Sequence, residues 1–227
     1  MIVSYKGIIF DFNGTLYFDS DKHEQAWRDF AAHFRQETVS QDEFYQHFHG
    51  HPARSIIEYL LGYQPDAQKL NALIQEKEEA YRKLCIDDSQ TFHLSPGAEM
   101  FLDKLKSANV PMTIATALEI TNISFFINHF NLTKWFDPDK IVYDDGTFPG
   151  KPSPDIYRKA ADNLNRDPGE LIVVEDAPSG VQAAKSAHIG MVIGIDPQGL
   201  GKLNQADRLI RDFNEFDSSL IGSLAVK

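Results

Sequence analysis

Strand-like and helix-like segments alternate along the chain after Pro96, and this alternation is the feature that most constrains the fold. Short apolar runs typical of buried strands precede segments with helical periodicity. We predict strands at 7–12, 140–143, 171–174 and 192–195, and one further strand that ends at Thr116. The predicted helices are at 97–108, 119–130, 153–164 and 179–187. Such alternation indicates a parallel sheet covered by helices on both faces, with ligands bound beyond the carboxyl ends of the strands. The sequence therefore predicts an α/β fold with its site at that edge.

The block from Ser20 to about Asp88 has helical periodicity throughout and contains no strand candidate. Its three predicted apolar faces are Ala26, Trp27, Phe30 and Phe34; Ile56, Ile57, Leu60 and Leu61; and Leu70, Leu73, Ile74, Tyr81 and Leu84. Asp66 is expected to cap the third helix. We predict an α/β core formed by residues 1–16 and 91–227, and an inserted helical domain at 17–90 that could cover the edge carrying the site.

Charge and composition exclude several classes of partner. The net charge is −11, from 22 basic and 33 acidic residues, which argues against nucleic acid or an anionic membrane surface as the main partner. We find no run as long as a membrane-spanning helix and no signal-peptide pattern at the start of the sequence, so we expect a cytoplasmic location.

The single cysteine, Cys85, lies in a helical pattern and is interpreted as a buried structural thiol.

The segment Ile8-Ile9-Phe10-Asp11-Phe12-Asn13-Gly14-Thr15 ends an apolar run on a carboxylate. Burying an ionisable group costs free energy unless the group has a partner, so a buried carboxylate indicates either an interaction partner or a functional role. A turn or capping Asp would also fit, since Asp-x-Asn-Gly favours turns. The later segments decide between these two interpretations.

Other polar residues stand at or beside the ends of the predicted strands. They are Thr116, Lys151 in Gly150-Lys151-Pro152, and the pair Glu175-Asp176. Each alone has an ordinary structural explanation, but together they suit phosphoryl transfer. Acidic groups can hold Mg²⁺, which prefers oxygen ligands. A lysine and a hydroxyl can bind phosphate oxygens while a carboxylate attacks phosphorus to form an aspartyl-phosphate.

With these motifs the chain resembles the haloacid dehalogenase superfamily of phosphatases and phosphomutases. Family members begin with Asp-x-Asp-Gly-Thr, and Asp11-Phe12-Asn13-Gly14-Thr15 matches at all but one defined position. Ile114-Ala115-Thr116 and Gly150-Lys151-Pro152 are similar to the second and third motifs. Residues 174–181 are similar to the acidic motif of β-phosphoglucomutase-like members. The resemblance implies a Rossmann-like core with an inserted helical cap.

The resemblance also implies roles for individual residues. Asp11 would be the nucleophile and a Mg²⁺ ligand, together with the main-chain carbonyl of Asn13, the carboxylate of Asp176, and Glu175 directly or through water. Thr116, with the adjacent Ala117, and Lys151 would bind the phosphate. In the cap, His23 is similar to a histidine that helps position the acid/base. The segment His49-Gly50-His51-Pro52-Ala53-Arg54 resembles the one that reads the substrate, with Arg54 as a candidate contact.

Asn13 departs from the family pattern, because the second Asp there is the general acid and base. A carboxamide donates hydrogen bonds but does not shuttle protons near neutral pH, and loss of a positioned acid/base typically costs roughly 10²–10⁴ in rate. Four interpretations remain open: a slow phosphatase that uses another group or water, a phosphate-binding or stably phosphorylated regulator, an introduced substitution that traps an intermediate, and deamidation at Asn13-Gly14 that restores Asp.

Two other activities of the superfamily fit less well. Dehalogenases also lack the second Asp but work without metal, whereas Glu175-Asp176 favours a Mg²⁺ site. Phosphonate cleavage needs a Schiff-base lysine in the cap, and we interpret the cap lysines as solvated: Lys22, Lys69, Lys77 and Lys83.

The leading hypothesis is a Mg²⁺-dependent phosphatase for a small phosphorylated metabolite, slowed by Asn13, and a monomer or weak dimer. A sugar-phosphate mutase similar to β-phosphoglucomutase and a phosphate-binding regulator remain the alternatives.

Overall fold

The computed structural model describes residues 4–48, 52–222 and 224 of this 227-residue chain. The chain divides into two compact units. One is formed by Met1–Phe18 with His93–Lys227, and the other by Asp19–Phe92. Among the described helices, none combines the length and the apolar character needed to cross a lipid bilayer.

The first unit is built on a six-stranded parallel sheet. The strands are β1 (Gly7–Phe10), β2 (Met112–Glu119), β3 (Val142–Asp144), β4 (Leu171–Glu175), β5 (Met191–Ile195) and β6 (Arg208–Ile210). Their order is β3-β2-β1-β4-β5-β6, with every neighbouring pair parallel. This is the strand order of Rossmann-like folds. The predicted α/β fold with a parallel-sheet core is therefore confirmed.

Several strand boundaries differ from the prediction. β2 continues past Thr116 to Glu119, so the predicted end of that strand is wrong. Pairing of β2 with β1 stops at Ile114, and pairing with β3 shifts register between Ala115 and Glu119. Thr116 therefore lies in an irregular part of the strand, beyond its pairing with β1.

β1 and β3 are also shorter than predicted, and β6 was not predicted. β1 ends at Phe10, and β3 begins only at Val142 because Pro138–Lys140 forms a 3-10 turn. β6 has three residues, of which Arg208 and Leu209 are exposed, so it lacks the apolar run that identifies a buried strand.

The described part of the second unit contains four α-helices. They are α1 (Ser20–Ala32), α2 (Gln41–His47), α3 (Ala53–Leu61) and α4 (Ala67–Asp87). As predicted, no strand occurs in the part of this unit that the structure describes. Asp66 caps α4 as predicted, accepting a hydrogen bond from the main-chain N–H of Lys69 at 2.8 Å. Cys85 is fully buried. Phe34 was predicted on the apolar face of α1, but it lies beyond the helix and is 37% exposed.

Two lysines of this unit are not solvated, which corrects the sequence-based interpretation. Lys22 is 5% exposed, and its Nζ atom lies 3.1 Å from a carboxylate oxygen of Asp88. Lys77 is 2% exposed, pairs with Glu78, and holds its Nζ atom 4.6 Å from the ring centroid of Trp27. A lysine can bury its aliphatic stem while its ammonium is paired. Helical periodicity does not reveal such partners, so it did not indicate that these two lysines are buried.

Where the structure describes the first unit, four α-helices accompany the sheet. They are α5 (Ala98–Ser107), α6 (Ile120–His129), α7 (Asp155–Asn163) and α8 (Pro178–Ser186). Ile9 of β1 and Val173 of β4 belong to one apolar cluster with residues of α7 and α8. Phe10, which points to the opposite face, contacts Phe101 of α5 at a ring-centroid distance of 6.3 Å. Both faces of the sheet are therefore covered.

The loop after α8 contains His188 in the left-handed conformation, with φ of 60°. This agrees with its interpretation as a structural variant at a position that favours glycine.

Candidate active site

Strand register brings the carboxylates of Asp11 and Glu175 to the same face of the sheet. Phe10 pairs with Val174, and the main-chain N–H of Asp11 donates to the Val174 carbonyl at 3.0 Å. Side chains alternate between the two faces of a sheet along each strand. Asp11 therefore points to the same face as Ile9, and Glu175 to the same face as Val173, which is the face covered by α7 and α8. Both are buried, with 6% and 1% exposed. A polar pair thus extends an otherwise apolar face.

Lys151 forms an ion pair with both carboxylates. Its Nζ atom lies 2.6 Å from Oδ1 of Asp11 and 2.5 Å from Oε1 of Glu175, and 9% of its side chain is exposed. Burial alone would lower the pKa of Lys151, but the charges of Asp11 and Glu175 raise it well above its usual value. The lysine is therefore a permanent cation beside the predicted nucleophile.

Glu175 is held by two further donors. The hydroxyl of Tyr157 donates to Oε1 at 3.1 Å, and the main-chain N–H of Ala177 donates to Oε2 at 2.7 Å. Gly180 of α8 packs directly against the carboxylate, since a Cβ atom there would lie 1.7 Å from Oε1. The orientation of Glu175 is thus set by the protein itself.

Asp176 lies against the turn that follows β1. A Cβ atom on Gly14 would stand 2.0 Å from its Oδ2 atom, and Gly14 also has a φ of 72°, which favours glycine. The Thr15 hydroxyl donates to Oδ1 of Asp176 at 3.4 Å. One carboxylate oxygen from each of Asp11, Glu175 and Asp176 lies within 4.8 Å of the others, an arrangement that could hold a metal ion.

The turn containing Asn13 is closed by main-chain hydrogen bonds. The N–H of Gly14 donates to the Tyr17 carbonyl at 2.7 Å, and the N–H groups of Thr15 and Tyr17 both donate to Phe12. Deamidation requires the Gly14 nitrogen to attack the side chain of Asn13. A nitrogen held in this turn opposes that attack, so we expect deamidation to be slow in the folded chain.

Thr116 and Ala117 are not joined to the carboxylate cluster by hydrogen bonds in the described part of the chain. The Thr116 hydroxyl is buried and accepts from the main-chain N–H of Leu118 at 3.2 Å, and Ala117 is exposed. Their strand is the direct neighbour of β1. Their phosphate-binding role stays a prediction.

The second unit contains the remaining predicted site residues. Arg54 is exposed and lies 3.8 Å from Glu58, while His49-Gly50-His51 fall outside the described residues. His23 stacks on Tyr81 at a centroid distance of 3.8 Å, and its Nε2 atom lies 3.4 Å from Oδ2 of Asp19.

Asp19 is 1% exposed and also accepts a hydrogen bond from the Tyr81 hydroxyl. Burial lowers the pKa of His23; the nearby Lys77 lowers it further, while Asp19 opposes the shift. The imidazole of His23 therefore loses its proton more readily than that of an ordinary histidine.

Sequence reasoning missed Tyr157 and the close approach of Gly180 to Glu175. Tyr157 falls on the apolar stripe of α7, where an aromatic residue predicts only core packing. Gly180 falls within the motif at 174–181, but no local signal indicates that it or Tyr157 contacts Glu175, because Glu175 lies on a different element from both.

Comparison with known proteins agrees with this geometry. The sequence model of the haloacid dehalogenase-like hydrolases matches residues 5–188. The chain belongs to this family. Its predicted membership and its assignment as a hydrolase are confirmed.

Individual relatives are similar over most of their length. A solved structure of a HAD hydrolase, family IA, variant 3, from Entamoeba histolytica is 35% identical, with a TM-score of 0.87 over 96% of this chain and 98% of that one. Fructose-1-phosphate phosphatase YqaB of Escherichia coli is 28% identical over 85% of this chain and 97% of its own. Validoxylamine A 7'-phosphate phosphatase of Streptomyces hygroscopicus is 29% identical over 93% of this chain and 95% of its own. These two relatives are named as phosphatases, in agreement with the predicted enzyme class.

Proposed function

We propose that this protein is a Mg²⁺-dependent phosphatase that hydrolyses a small phosphorylated sugar or related metabolite through an aspartyl-phosphate on Asp11. The observation that carries the proposal is the buried carboxylate of Asp11 with the Lys151 ammonium 2.6 Å away, beside two further acids. The names of the phosphatase relatives support the substrate class.

The acidic cluster has the donor chemistry that Mg²⁺ requires. Its three carboxylates supply hard oxygen ligands close together, which suits Mg²⁺ better than a softer metal. Asp11 and Asp176, the main-chain carbonyl of Asn13, and Glu175 directly or through water would hold the ion. When bound, Mg²⁺ would neutralise charge on the phosphoryl oxygens.

In the first step, a carboxylate oxygen of Asp11 attacks phosphorus and the ester P–O bond breaks. The departing alkoxide takes a proton from water. In the second step, water attacks phosphorus, the bond between phosphorus and Asp11 breaks, and inorganic phosphate leaves. Lys151 would stabilise the negative charge in both steps, because its pKa keeps it cationic. Thr116 and Ala117 are proposed to contact the phosphate oxygens.

Asn13 would limit the rate of both steps, since its carboxamide does not transfer protons. This residue favours a second candidate function, a phospho-accepting regulator that forms the aspartyl-phosphate but releases it slowly. Both functions use Asp11, Lys151 and the metal site, and they differ only in turnover.

We further propose that the helical unit acts as a cap that selects the substrate, with His23 and Arg54 as polar contacts. The exposed guanidinium of Arg54 supports this role, because a cation accessible to solvent can contact a negatively charged substrate.

The test is turnover of a panel of sugar phosphates with and without Mg²⁺, combined with trapping of the phosphorylated residue. We expect metal-dependent release of phosphate and a hydroxylamine-sensitive label on Asp11. Stable labelling of Asp11 without turnover would favour the regulator. Labelling of another residue, or metal-independent turnover, would contradict the mechanism.

A further inference from the structure

The carboxylate of Glu175 and the ammonium of Lys151 share a third partner, Tyr157. The Tyr157 hydroxyl lies 3.1 Å from Oε1 of Glu175, the same oxygen that Lys151 approaches at 2.5 Å. The Lys151 Nζ atom also lies 5.2 Å from the centroid of the Tyr157 ring. One side chain thus contacts both charged groups, the carboxylate through its hydroxyl and the ammonium through its ring.

Tyr157 is packed inside the core of the first unit. It is fully buried, it lies on α7, and it belongs to the apolar cluster that also contains Ile9 and Val173. A buried tyrosine hydroxyl normally needs a hydrogen-bond partner, and here that partner is the charged Glu175.

We propose that Tyr157 is a positioning residue for phosphoryl transfer: it holds Glu175 and Lys151 in the arrangement that Asp11 and the metal ion require. This inference rests on the proposed function. The ammonium of Lys151 has two carboxylate partners, Asp11 and Glu175. Once Asp11 carries a phosphoryl group, Glu175 is the partner that keeps Lys151 in place, and Tyr157 together with the Ala177 N–H keeps Glu175 in place.

The variant Tyr157→Phe removes the hydroxyl and keeps the ring. Loss of a partner that orients a metal-site carboxylate typically costs roughly 10–100-fold in metal affinity or activity. We expect Mg²⁺ affinity measured by calorimetry to weaken about 10-fold. We also expect kcat to fall about 10-fold with a change in KM of less than about threefold, because the hydroxyl orients charge without contacting the sugar.

Tyr5→Phe is a matched control. Tyr5 is also buried in the first unit, and its hydroxyl donates to the Gly190 carbonyl at 3.1 Å. Its loss should leave Mg²⁺ affinity and kcat unchanged. Equal losses in the two variants would overturn the proposal, because they would indicate a general effect of removing a buried hydroxyl.

A double-mutant cycle separates positioning from packing. In a Glu175→Gln background, Tyr157→Phe should have less than about one third of its effect on Mg²⁺ affinity, because residues in one network are not additive. Two results would overturn the proposal. One is that Tyr157→Phe weakens Mg²⁺ affinity as much in the Glu175→Gln background as in the parent, and the other is that Tyr157→Phe alone leaves Mg²⁺ affinity unchanged.

Mg²⁺ affinity does not depend on turnover. If the protein and its Asn13→Asp variant hydrolyse nothing, the phosphatase proposal fails, while the calorimetry still decides whether Tyr157 organises the metal site.

Discussion

The Nζ atom of Lys151 lies 2.6 Å from Oδ1 of Asp11, in a place where only 9% of each side chain is exposed. With Glu175 as the second carboxylate, the lysine is outnumbered two to one by buried negative charges. Removing one member of a buried pair leaves charges without compensation, which costs more than the pair itself contributes.

The first prediction follows from this imbalance. Lys151→Met should lower the free energy of unfolding by about 3 kcal/mol, because Asp11 and Glu175 then repel each other in a buried site. Urea denaturation measures the loss, and added Mg²⁺ should recover part of it. Lys134→Met is the control, since its ion pair with Asp103 is about half exposed, and its loss should lower the free energy of unfolding far less than Lys151→Met does. Equal losses would contradict the argument.

The second prediction concerns the metal. Asp176→Ala should abolish measurable Mg²⁺ binding and leave the fold intact, because it removes a proposed ligand that lies just after β4 rather than in the core. Titration calorimetry gives the affinity. Asp144→Ala, at the end of β3 and outside the acidic cluster, should bind Mg²⁺ like the parent. An unchanged affinity in Asp176→Ala would refute the assignment.

The third prediction uses the contact between Gly180 and Glu175. Helix propensity alone would favour Gly180→Ala by about 1 kcal/mol. The added Cβ atom would, however, stand 1.7 Å from Oε1 of Glu175 and displace it. We expect a loss of roughly 10-fold in kcat/KM or Mg²⁺ affinity, as for other changes that disturb a metal-site carboxylate. Gly150→Ala is the control, since a Cβ atom there meets nothing within 4 Å. Normal function in Gly180→Ala would show that Glu175 tolerates displacement.

The fourth prediction concerns Asn13. Asn13→Asp should raise phosphatase turnover by roughly 10²–10⁴, the usual contribution of a positioned acid and base. Binding of a non-hydrolysable phosphate analogue should change little, because Asn13 is proposed to contact the metal through its main-chain carbonyl. Mass spectrometry of the parent must exclude deamidated chain. An unchanged rate would mean that another group already moves the proton or that substrate is not admitted.

The fifth prediction concerns pH. His23 has a pKa below its ordinary value of 6.5, chiefly because of burial. The unfolded chain therefore binds a proton at a higher pH than the folded chain does. Stability must then fall as the pH drops below about 6.5.

Thermal denaturation at pH 7.5 and 5.5 measures this loss, which should be smaller in His23→Gln. His129→Gln is the control, because His129 is exposed. An equal loss in His23→Gln and the parent would exclude His23 as the source.

Much of the candidate site could be predicted because its signals are local. A carboxylate that ends an apolar run, as Asp11 does, identifies the functional edge of a parallel sheet without any knowledge of partners. Glu175-Asp176 and Lys151 follow the same logic, each at the junction of two predicted elements. Boundaries such as the end of β2 could not be predicted, because they depend on pairing with neighbouring strands.

The sequence by itself determined the alternation of strands and helices, the helical insertion and the candidate site residues, because periodicity and strand-end residues are properties of short segments. Only the tertiary structure decided which charges are paired. Lys151 meets Asp11 across 140 positions of the chain, and Tyr157 meets Glu175 across 18. The burial of Lys22 and Lys77 was decided in the same way, since a partner brought by folding determines whether a charged side chain can leave water.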